Sequence, residues 1–99
     1  MIISPTVGRV VWFWPNENSA AGLNYHDKKQ PLAAHVAYVW NDRMVNLLVI
    51  DQNGKSYSFT SVALAQDGDA VQGGQSYCEW MPYQKGQAAK VEELEKKQS

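Results

Sequence analysis

The chain has 99 residues, 44% apolar and 19% charged, and nine Lys and Arg against ten Asp and Glu leave a formal net charge of -1. A chain of this size forms one domain with a small core, its apolar content is too high for disorder, and its balanced charge excludes the basic footprint of a duplex-DNA binder. Cys78 is the sole cysteine, which excludes an intramolecular disulfide and a multi-cysteine zinc site and suits a reducing compartment.

The opening residues MIISPTVGR lack the basic and long apolar regions of a signal peptide. No apolar run approaches the roughly 20 residues of a membrane span. A cytoplasmic chain without a membrane partner is therefore expected. Strand 1 is expected over 7–14, where TVGRVVWFW is rich in β-branched and aromatic residues between Pro5 and Pro15. Trp12, Phe13 and Trp14 in succession must alternate between faces, so at least one large ring leaves the core. Residues 15–31 carry no sustained period and form a long loop, the first place to look for a binding site.

Strand 2, over 33–41, places Ala34, Val36, Tyr38 and Trp40 on one face by strict alternation. Strand 3, over 44–51, is apolar except at Asn46, and Asn53-Gly54 after it is a strong hairpin signal. Strand 4, over 55–63, sets Ser56, Ser58 and Thr60 on a hydroxylated, wet face. AQDGDAVQGGQS (65–76) is a second loop, and YCEWM (77–81) a fifth strand before Pro82. The tail is made of helix formers with Glu92–Lys96 and Glu93–Lys97 in the favourable i,i+4 order, so a helix is expected within 84–97.

These elements predict a mainly all-β fold: a small five-stranded antiparallel barrel or meander, SH3-like in element order, with a short C-terminal helix. Residues 1–83 form the barrel domain and 84–99 the charged helical tail. An open antiparallel sheet with the helix across one face is the other architecture this order permits. The core is predicted to include Val10, Val36, Val39, Leu47, Val49 and Val62. The load of four Trp and five Tyr exceeds what so small a barrel buries comfortably, which predicts a homo-oligomer.

No constellation announces catalysis. His26 and His35 lack further ligands at metal-site spacing, and the serines of strand 4 lack a nucleophile elbow or a placed His and acid. Cys78, on a short aromatic strand, reads as a buried small hydrophobe. QDGDAVQGGQ matches neither the EF-hand nor the Walker pattern. No catalytic residue, metal or cofactor is expected. A binding site, if present, is placed where the two long loops meet: Trp14, Asn24, Tyr25, His26, Lys28 and Lys29 on one side, and Asp67, Gly73 and Gly74 on the other. Lys28 and Lys29 would offset an anionic ligand while Trp14 or Tyr25 stacks on a ring.

The segments QPLAAHVAYVWNDRMVNLLVIDQNG (30–54) and YCEWMPYQKGQAAK (77–90) resemble a family of short proteins encoded by tailed phages and prophages of enteric bacteria. The resemblance extends over nearly the whole chain and carries no assigned activity or catalytic residues. It implies expression in the cytoplasm of an infected host. It also implies an accessory protein that occupies a host protein or a small nucleotide-like ligand, in anti-defence or host takeover. A virion or assembly component is the main alternative, and a single-stranded nucleic-acid accessory a weaker one.

Overall fold

A computed structural model describes residues 2–71 and 73–98, with side chains of the last helix described at 82–91 and 94. Five strands close into one barrel in the order β1-β2-β3-β4-β5, so the open-sheet alternative is not adopted. The strands are β1 (Val10–Trp14), β2 (Leu32–Asn41), β3 (Met44–Ile50), β4 (Ser56–Ala65) and β5 (Tyr77–Glu79). Two helices complete the fold, α1 (Glu17–Ala20) and α2 (Pro82–Gln98). No helix among the described residues is long and apolar enough to cross a membrane.

Residues 7–9 were expected in the first strand but lie before it. Gly8 takes a positive φ of 94° and the Arg9 N–H turns back to the Thr6 carbonyl at 3.2 Å, so the ladder begins only at Val10. The loop of 15–31 also holds the unexpected short helix α1, whose cap Asn16 accepts the Ser19 N–H through Oδ1 at 2.8 Å. β5 is shorter than expected, and α2 starts two residues earlier, at Pro82, which suits a first helical turn. The expected Glu92–Lys96 and Glu93–Lys97 pairs lie outside the described side chains.

The uniformly antiparallel expectation fails at one place. β1·β2, β2·β3, β3·β4 and β1·β5 are antiparallel, but β4 and β5 run parallel, with Ala63, Leu64 and Ala65 opposite Tyr77, Cys78 and Glu79. Closure with an odd number of strands forces this: around a ring of five, alternation of direction must break at least once. A parallel pair needs a crossover, so the segment after β4 travels back along the barrel before β5 begins.

The core comprises Val11, Phe13, Leu32, Ala34, Val36, Val45, Leu47, Val49, Val62, Leu64, Cys78 and Trp80. Val36, Leu47, Val49 and Val62 were expected there. Val10 is only half-buried, because β1 turns Val11 and Phe13 inward and so aims Val10 to the other side. Val39 is half-buried and packs on the edge of the core.

Two bulges account for the remaining misplacements. The β2·β3 register shifts between Val36 and Tyr38, which moves Tyr38 and Trp40 off the face that Val36 occupies and out to solvent. In the β3·β4 pairing, Val45 faces Val62 and Leu47 faces Phe59, so β4 carries one extra residue opposite Asn46. Ser61 there adopts a φ of 54°. Strict alternation cannot anticipate either shift.

Candidate functional site

Parallel β5 decides where the site-bearing loops meet. Because the crossover returns along the barrel, Gly74 and Ser76 arrive beside the residues that follow β1. Asn16 N–H donates to Ser76 Oγ at 2.9 Å, Asn16 Nδ2 donates to the Gly74 carbonyl at 3.0 Å, and Ser19 Oγ lies 2.8 Å from Ser76 Oγ. The two loops named from the sequence are therefore joined.

Between them opens a cleft of about 460 Å³, with Tyr25, Lys28 and Gly74 among its lining residues and Asn16, Glu17 and Asn18 supplying further polar groups. Tyr25 is half-buried against the core, and its hydroxyl reaches the Lys28 carbonyl at 3.4 Å. Burial, aided by Asp27, pushes the Tyr25 phenol above its usual range, so it remains a neutral donor near pH 7. Trp14 is half-buried just before Pro15, a lining residue, and its indole Nε1 is buried without a hydrogen-bond partner among the described residues. An unsatisfied buried donor is uncommon in a folded protein.

The other expected residues have different positions. Asn24 supports the loop rather than facing the cleft: its backbone N–H and its Nδ2 both donate to Asp51 Oδ2, at 3.2 and 2.8 Å. The His26 backbone N–H is held by Gln52 Oε1 at 2.9 Å, and the residue is exposed. Lys29 is exposed, with its backbone N–H on Asp27 Oδ1 at 3.1 Å. Asp67 and Gly73 are exposed and do not line the cleft.

Asp51, which the sequence did not single out, is the support of this end. Its carboxylate is buried, which alone would raise its pKa. The Asn24 amide and the backbone N–H groups of Lys55, Asn24 and Asn53 outweigh that effect and hold it down to about 2. Gln52 adds a second clamp: its Oε1 accepts from His26 and Asp27, and its Nε2 donates to the Asp27 carbonyl at 2.8 Å. The hairpin turn of 51–55 thereby holds the loop of 24–28 that presents Tyr25 and Lys28.

Cys78 is fully buried, and burial pushes its thiol up to about 12, which keeps it protonated at neutral pH. Among the described residues no group of three His, Cys, Asp or Glu is placed to hold a metal ion.

A larger hollow of about 760 Å³ opens where α2 leaves the barrel, lined by Ile2, Ile3, Arg9, Trp80, Tyr83 and Val91 among others. The Gln84 amide at its rim is already engaged, accepting the Met81 N–H and donating to the Val10 carbonyl, both at 2.8 Å. We read this hollow as the splay between helix and barrel, and the smaller cleft as the better-formed site, because two loops are hydrogen-bonded together to shape it. Comparison of the chain with protein-family models, with curated proteins and with solved structures finds no match.

Proposed function

We propose that this chain is a phage accessory protein that acts by occupancy rather than turnover, in the cytoplasm of the infected host, by capturing a small anionic, nucleotide-like ligand. One observation supports the reading: Tyr25 and Lys28 both line the cleft that lies beside the Asn16–Gly74 and Ser19–Ser76 contacts. A ring to stack on and a cation for an anionic group are the elements such a ligand requires. The phage assignment is supported by the sequence resemblance.

Thermal-shift measurement of the purified chain against host nucleotides tests the proposal, with Tyr25→Ala and Lys28→Ala measured alongside. A ligand at about 100 times its Kd should stabilise the wild type by about 2.7 kcal/mol, and both variants should lose most of that gain. Stabilisation that survives in both variants moves the site elsewhere. No stabilisation by any nucleotide transfers the assignment to a host protein as the occupant.

The competing reading, a virion or assembly component, is favoured by the exposed aromatic side chains Tyr38 and Trp40 on the barrel wall. Mass spectrometry of purified particles separates the two, because a structural part must be present there.

A further inference from the structure

We propose that the hollow between α2 and the barrel is a second binding site, which takes an apolar chain ending in one carboxylate, a ligand of the fatty-acid class. The proposal is independent of the cleft and of the function assigned to it.

The walls of the hollow come from the two ends of the sequence, residues 2–9 and 80–91, and both are tied to the barrel. Gln66 holds the N-terminal wall: its Oε1 accepts the Ile3 N–H and its Nε2 donates to the Ile3 carbonyl, both at 3.0 Å. Gln84 holds the helix wall, accepting the Met81 N–H through Oε1 and donating through Nε2 to the Val10 carbonyl, both at 2.8 Å. Trp80, also in the lining, is 1% exposed and donates its indole N–H to the same Gln66 Oε1 at 3.2 Å. The hollow is therefore formed before a ligand arrives, and its volume of about 760 Å³ lies in the range of small-molecule sites. Ile2 is 49% exposed, Tyr83 73% and Val91 53%, and all three line it. Large apolar side chains left exposed around a single hollow mark a place that binds something.

Charge selects the occupant. Arg9 is the only charged side chain among the described lining residues, it is exposed, and it has no ion pair among the described residues. Its backbone is fixed: the Arg9 carbonyl accepts the Val36 N–H at 2.8 Å and the Arg9 N–H donates to the Thr6 carbonyl at 3.2 Å. One guanidinium beside an apolar hollow matches a ligand with one anionic group on an apolar body, and its planar fork suits a carboxylate. A polyanion such as nucleic acid would need more cations than this lining holds. An apolar helix laid in the same hollow, from a partner or from a second copy, would cover Arg9 without pairing it, which is strongly unfavourable.

Isothermal titration calorimetry of the intact chain with octanoate, decanoate and dodecanoate, each below its micelle threshold, tests the proposal, with decanol as the uncharged arm. Affinity should rise about fourfold for each added CH₂. Decanoate should bind at least about tenfold tighter than decanol. Arg9→Ala should erase that difference while leaving decanol binding unchanged, and Val91→Asp should weaken both ligands. Both substituted positions are exposed, so both variants should keep the wild-type circular dichroism. Absence of binding by all three carboxylates overturns the proposal, as does decanoate binding that survives both substitutions or that is no tighter than decanol binding in the wild type. A chain that dimerises in sedimentation equilibrium, and loses the dimer in Val91→Asp, would give the hollow to a second copy instead.

Discussion

The two ends of the barrel are each organised by one buried polar side chain, and the two differ in kind. At the end that carries the cleft, the Asp51 carboxylate takes four hydrogen bonds from the residues around it. At the other end, buried Gln66 accepts the Ile3 N–H and the Trp80 indole N–H through Oε1, and donates through Nε2 to the Ile3 and Asp42 carbonyls. The amide is neutral and anchors the N-terminal segment and the β2–β3 turn to a core tryptophan. The carboxylate is charged and anchors loop to loop. The end anchored by Gln66 is thus indifferent to protonation of its hub, whereas the end that holds the cleft depends on it.

Removing the neutral hub should have the larger effect. Gln66→Leu leaves the Trp80 and Ile3 donors without their acceptor in a buried setting, and should cost about 3 kcal/mol in urea unfolding. A cost below about 1 kcal/mol would show that this end reorganises freely.

The charged hub should show its contribution through pH. The Asp51 pKa lies near 2 in the fold against 3.8 for the free group, so the unfolded chain takes up the proton first as pH falls. The stabilisation is fully present above the unfolded value and is lost as pH drops through the folded one, between about pH 5 and pH 2. Thermal melts across that window should show Asp51→Asn less stable than the wild type at neutral pH, and the difference shrinking toward pH 2. At neutral pH the variant should lose protection from hydrogen exchange over residues 24–28 and 51–55 before the strands do. A difference that stays constant with pH would mean that the carboxylate is not the element that holds the loop.

Smaller effects sharpen the contrast between support and site. Lys28→Ala removes an exposed cation and should change stability by less than about 0.5 kcal/mol while weakening ligand capture. On the barrel wall, Ser61→Gly relieves a positive φ in a non-glycine residue, and should be neutral or stabilising by up to about 1 kcal/mol in the same unfolding assay.

The residues themselves determined the mainly-β class, the five strands, the C-terminal helix and the two loops that carry the cleft, because two-residue periodicity, turn chemistry and helix formers act over a few neighbours. Tyr25, Lys28 and Gly74 were legible as loop residues for the same reason, and the structure brings them to the wall of one cleft. Asn24 was legible as a loop residue but not as a support, since its partner Asp51 is 27 positions away. The outward turn of Tyr38 and Trp40 was hidden by the β2 bulge, because strict alternation puts both on the face of Val36. Tertiary structure alone decided closure, and closure of a five-stranded ring decided the parallel β4·β5 pair that carries Gly74 to Asn16. That step is a condition on the whole ring of strands, and no short stretch of sequence contains it.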